Sequence, residues 1–180
     1  MNPIKEQIDL IRHMAPGVKT VGLLYTSNED NSILQARQAK EHIEAAGMKY
    51  VEVTVNNSND VQQAAQSIVE QCDAIYVPTD NVVASSMSIV HEVAVARKIP
   101  IFCGEAGQIL GGGTATLGIS YYNLGKQTAQ MAVDVLKGAD ISKMPIQAQS
   151  EFEYTINKTM CDLIGLEIPE DLLPFAIEVP

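Results

Sequence analysis

The chain holds 180 residues, 46% of them hydrophobic, with a mean hydropathy of +0.04, which suits a soluble globular protein that buries a core as one domain or slightly more. A net charge of −10, a pI near 4.6 and the lack of any Lys/Arg cluster set up a field that repels phosphate backbones, which excludes nucleic acid as an expected partner. No apolar run approaches the ~20 residues of a membrane span, and the opening MNPIKE lacks the basic and apolar blocks of an export signal, so this chain alone is expected to stay in the cytoplasm.

Apolar residues Ile4, Ile8, Leu10, Ile11 and Met14 follow helical spacing, with Pro3 suited to the first turn and Pro16-Gly17 to the stop. KTVGLLY at residues 19–25 is a continuous β-rich run, as in a parallel strand covered on both faces. Periodicity through Ile33, Leu34, Ala36, Ala39 and Ile43 predicts a helix over 31–46, stopped at Gly47. YVEVTV at 50–55 alternates as a partly exposed strand, and NNSND at 56–60 leads into a helix carrying Val61, Ala64, Ala65, Ile68 and Val69. The unit repeats with a third strand at 74–77, a helix over 81–97, a fourth strand at 100–103 and a fifth at 114–119. This alternation predicts an α/β fold built on a doubly wound parallel sheet in the order 2-1-3-4-5. From Tyr121 the pattern changes to a helix reaching about Leu136, an extended segment from Pro145 through Tyr154, and a short helix over 157–164 that Gly165 stops.

Polar residues collect after successive strands, on the carboxyl-end face where this architecture builds ligand sites. TSNEDNS follows the first strand at 26–32; Thr79, Asp80 and Asn81 follow the third, Gly104-Glu105 the fourth, and Ser120-Tyr-Tyr122 the fifth. Glu29, Asp30, Asp80 and Glu105 have no Lys or Arg among these loops to balance them, so a ligand with a cationic group would supply the missing charge. Backbone N–H groups at the helix starts near Asn31 and Asn81 offer places for an anion. An amino acid carries both charges. Plain helix capping and solvated turns fit the same residues, Thr79 and Asp80 above all.

No other chemistry assembles. The loop at 26–32 is similar to a flavodoxin phosphate loop but lacks its glycines and carries acids, and 118–126 has the wrong spacing for a P-loop. Cys72, Cys103 and Cys161 show no C-x-x-C pair and read as buried thiols, while His13, His42 and His91 sit on separate predicted helices without metal-ligand spacing. No catalytic residue, metal or cofactor is expected.

Four ordered motifs carry a family resemblance: PIKEQ at 3–7, GLLYTSNEDNS at 22–32, DAIYVPTDN at 73–81 and GISYYNLG at 118–125. The chain resembles the ABC-transporter substrate-binding proteins of the tryptophan or aromatic amino-acid uptake type, which have the two-lobed fold of type I periplasmic binding proteins. Members of that family begin with a signal or lipoprotein segment and an entire first lobe. The resemblance therefore implies a fragment: a flavodoxin-like second lobe over 1–120, a helix and strand of the missing first lobe over 121–150, and a C-terminal return over 151–180. It makes Asn28, Glu29, Asn31 and Ser32 one wall of the ligand cleft and Thr79, Asp80 and Asn81 another. Glu105 faces the ligand ammonium, and Tyr121 lines the hinge or stacks on an aromatic ligand. The implied partners are a small-molecule amino acid and an ABC permease, with the full-length protein periplasmic or anchored outside the membrane. The apolar face of the helix at 123–136 is expected to pack back on the lobe or form a homodimer. The alternative function is a stand-alone flavodoxin-like regulatory or protein-interaction domain.

Overall fold

Strand and helix alternate through most of the chain in the computed structural model, which describes residues 2–179. The elements are α1 (Ile4–Met14), β1 (Thr20–Thr26), α2 (Asp30–Ala45), β2 (Lys49–Val55), α3 (Val61–Ile68), β3 (Ala74–Val77), α4 (Asn81–Ser85) and α5 (Met87–Arg97). They continue as β4 (Ile101–Cys103), α6 (Ala106–Leu110), β5 (Ala115–Ile119), α7 (Tyr121–Leu136), β6 (Phe152–Asn157), α8 (Lys158–Ile164) and β7 (Ala176–Ile177).

These strands make one seven-stranded sheet in the order β2-β1-β3-β4-β5-β6-β7. The first five pair in parallel in the expected order, β6 runs antiparallel to β5, and β7 lies parallel to β6. Alternate residues of β1 feed two cores. Val21, Leu23 and Tyr25 join α1 and α2 on one face, while Leu24 joins α3 and α5 on the other. Ile8, Ile11 and Ile43 are fully buried in the first core, each contributing about 1.5–3 kcal/mol of hydrophobic stabilisation. Gly22 keeps β1 and α3 in close contact: a Cβ there would lie 2.7 Å from Ile68 Cγ1.

Two expectations change. The helix over 81–97 is two helices, because the backbone turns at Ser86 (φ −115°, ψ 17°) and Ser85 Oγ donates to the Val82 carbonyl at 2.8 Å, competing with the helical ladder. The extended segment from Pro145 becomes a strand only at Phe152, where Ile119 of β5 supplies a pairing partner. Short elements such as α6 and β7 carry too few residues for a periodic signal.

α7 differs from every other long helix. None of its sixteen residues is buried, and it shares a groove of about 470 Å³ with Ile141, Met144, Pro145 and Ile146. Gln127 ties the two sides by donating to Gln147 Oε1 at 2.7 Å and accepting from Gln149 Nε2 at 3.0 Å. No helix among the described residues is long and apolar enough to cross a membrane.

Candidate functional site

The carboxyl ends of β1, β3, β4 and β5 lie along one edge of the sheet, and the loops and first helical turns that follow them carry the residues expected to form the ligand cleft. Between β1 and β3 these residues are stitched together. Asp80 is buried, and its carboxylate accepts from the Thr26 N–H at 2.7 Å, Thr26 Oγ1–H at 2.8 Å and the Val83 N–H at 2.9 Å. It caps α4 and fastens that helix to the end of β1, as the capping alternative has it. Glu29 Oε2 accepts from both the Asn81 N–H and Asn81 Nδ2, each at 3.1 Å, and Oε1 from the Val82 N–H at 3.4 Å. The N–H groups of Asn81, Val82 and Val83 at the start of α4 are therefore taken by two of the protein's own carboxylates, which corrects the expectation that the amides near Asn81 receive an anion.

Thr79 is the hub of the contacts with α2. Its carbonyl accepts from Asn31 Nδ2 at 2.7 Å and Ser32 Oγ at 3.1 Å, and its N–H donates to Gln35 Oε1 at 3.0 Å. Asn31, Ser32 and Gln35 share one face of α2 through i, i+3 and i, i+4 spacing. Asn28 stands exposed at the rim and reaches the Asn56 carbonyl at 3.5 Å. The first-turn N–H groups of α2, at Asp30, Asn31 and Ser32, find no acceptor among the described residues.

Glu105 caps α6, accepting from the Gly107 N–H at 2.7 Å and the Gln108 N–H at 2.9 Å. Each oxygen keeps a second lone-pair direction. Tyr121 is 54% exposed, and burial together with the nearby Glu105 charge pushes its hydroxyl pKa up. Glu105 and Tyr121 follow neighbouring strands, β4 and β5, and the Glu105 charge reaches the Tyr121 hydroxyl. Three of the four unbalanced carboxylates, Glu29, Asp80 and Glu105, face helix N-termini, whose partial positive charge offsets part of the missing counter-charge.

Two residues beyond those named from the sequence enter this edge. Asn2 Nδ2 donates to Thr79 Oγ1, to Gln35 Oε1 at 3.3 Å and to the Gly104 carbonyl at 3.4 Å. For Gln35 the available signal was its place one helical turn after Asn31 and Ser32; Asn2 precedes a helix and gave none. Gly104 lets β3 and β4 converge here, since a Cβ would sit 2.5 Å from the Thr79 backbone nitrogen.

Residues 1–180 match the model of a family described as ABC transporter substrate binding protein. The chain belongs to that family. It is a family of binding proteins, not of enzymes. A relative from Clostridioides difficile (strain R20291), named tyrosine-binding protein, is 35% identical over 164 residues, which are 91% of this chain and 48% of the relative. A solved ABC domain from Streptococcus pneumonia in complex with L-Trp is 35% identical with a TM-score of 0.89, over 99% of this chain and 61% of that one. A conserved domain protein from Vibrio cholerae gives a TM-score of 0.91 at 33% identity, over 100% of this chain and 61% of its own. The chain spans about half the length of the curated relatives it matches. Its α/β sheet is that of a periplasmic binding protein lobe, as the resemblance implied.

Proposed function

We propose that this chain forms one lobe of an amino-acid receptor serving an ABC importer, and that the ligand is an aromatic amino acid. The observation that carries the reading is that a partly exposed carboxylate, Glu105, and the exposed ring of Tyr121 follow neighbouring strands at the same strand-end edge. In this reading Glu105 takes the ligand ammonium, and Tyr121 lies against the ligand ring. The free amides of α2 at the exposed Asp30 and Asn31 receive the carboxylate. Asn28, Asn31 and Asn81 form the polar rim, with Glu29, Ser32, Thr79 and Asp80 holding that rim in shape. The names of the tyrosine-binding relative and of the L-Trp complex support an aromatic ligand.

The division into lobes belongs to the same proposal. The chain passes the strand-end edge at Asn2, at Ile119 and at Phe152, the last two being paired neighbours, while α7 stands uncovered beyond it. In a protein of the relatives' length, residues 121–150 then belong to the first lobe, which closes over the ligand, outside the cytoplasmic membrane and beside a permease. In the 180-residue chain alone, the α7 face associates with a second copy.

The chain has six tyrosines and no tryptophan, so indole fluorescence reports added L-tryptophan alone. The reading expects its anisotropy to rise with added protein, L-tyrosine to reverse the rise, and Glu105→Gln to weaken binding about tenfold or more. An anisotropy that stays flat at millimolar protein would overturn it.

A further inference from the structure

α1 carries a polar residue where its pattern calls for an apolar one. Ile4, Ile8, Ile11 and Met14 face the core, and Gln7 lies among them at 1% exposure. A buried amide is costly unless every hydrogen-bonding group is satisfied, and this one is. Nε2 donates to the Leu117 carbonyl at 2.8 Å and the Gly104 carbonyl at 3.3 Å, and Oε1 accepts from the Tyr76 hydroxyl at 2.7 Å. Those three partners stand on β3, on the exit of β4 and on β5.

The location explains the need. The β4–β5 ladder consists of Phe102↔Ala115 and Cys103↔Thr116. Beyond it side chains take over the pairing: Thr116 Oγ1 donates to the Cys103 carbonyl at 2.6 Å, and the Gln7 amide spans Gly104 and Leu117. Gln108, also fully buried, completes the ring by accepting from the Gly104 N–H at 3.1 Å and donating to the Pro78 carbonyl at 2.8 Å. Each strand end held in this way leads within a few residues to a proposed site group: Pro78 to Thr79, Gly104 to Glu105, and Leu117 to Tyr121.

We infer that Gln7 is a positioning residue: its side-chain amide replaces the missing β4–β5 pairing and sets the spacing between Glu105 and Tyr121. The inference deepens the amino-acid receptor reading and rests on it for its effect on affinity. A side chain that touches no ligand thereby governs how well ammonium and ring are received together.

The test compares Gln7→Met with Tyr76→Phe in the full chain. Each removes buried hydrogen bonds and lowers the urea midpoint, but only Q7M releases Gly104 and Leu117. L-tryptophan affinity is expected to fall about tenfold in Q7M and stay within about twofold in Y76F. Without ligand, the amide NMR signals of Glu105 and Tyr121 move in Q7M and hold in Y76F. Gln7→Asn, one methylene too short to span both carbonyls, gives the same pattern if Q7M does not fold. Equal affinities and unmoved amides in the Gln7 variants, or losses that merely track stability in both variants, would overturn the inference. Should the unmutated chain bind no aromatic amino acid, the receptor reading fails, and the amide signals alone decide whether Gln7 positions the two loops.

Discussion

Glu29 and Asn81 meet beyond the adjoining ends of β1 and β3, one carboxylate oxygen accepting from both the backbone N–H and the side-chain amide of Asn81. A loop acid is thereby a helix cap supplied from a different strand. Glu29→Ala is expected to cost about 1 kcal/mol, since it strips the start of α4 of its external carboxylate while Asp80 keeps its bond to Val83. Urea unfolding measures this. A midpoint equal to that of the unmutated chain would show that the cap contributes nothing.

Gly104 has no space for a side chain: Cβ would lie 2.5 Å from the Thr79 nitrogen and 2.8 Å from the Pro78 carbonyl carbon. Both obstacles are backbone, so the loops must move apart. Gly104→Ala is expected to destabilise by about 2–4 kcal/mol and to shift the amide signals of Thr79 and Glu105. Thermal unfolding and an amide spectrum read both effects.

Burial pushes the Tyr76 hydroxyl pKa well above its ordinary value, with the neighbouring Cys103 adding to the shift. The unfolded chain gives up that proton near pH 10 while the folded chain holds it, so the stabilisation is complete below about pH 10 and declines as the pH rises through and beyond it. Urea midpoints across the alkaline range are expected to fall. Tyr76→Phe should make that fall shallower. Tyr25, also pushed up by burial and by its bond to Glu52, contributes in the same direction.

α7 leaves Leu136 at 87% exposure and Val133 at 39%. Self-association of the 180-residue chain is expected to bury this face, and Leu136→Glu together with Val133→Glu is expected to shift the population to monomer in sedimentation velocity. A chain that is already monomeric at every concentration contradicts this.

Long, strongly patterned elements were legible from residue spacing alone. Ile4, Ile8, Ile11 and Met14 mark α1, and the unbroken apolar run of β1 marks a central parallel strand. The break at Ser86 was not legible, because apolar spacing continues across it and the cause is a local competition for one carbonyl. At the site, residue type showed where polar groups gather but not which partner each one meets. Asp80 and Glu29 both precede helices in sequence, yet Asp80 binds the end of β1 and Glu29 caps a helix that begins more than fifty residues later. Gln7 was the least legible, since its partners are backbone carbonyls brought together by three strands.

The receptor reading stands or falls on a two-dimensional amide NMR titration of this chain with L-tryptophan and L-tyrosine, with ribose as the control. Shifts confined to the start of α2, Thr79–Asn81 in the adjoining loop, Glu105 and Tyr121 are expected with the two aromatic amino acids and not with ribose. A well-dispersed spectrum that neither amino acid perturbs, or shifts centred on the outer groove between α3 and α5, would contradict it.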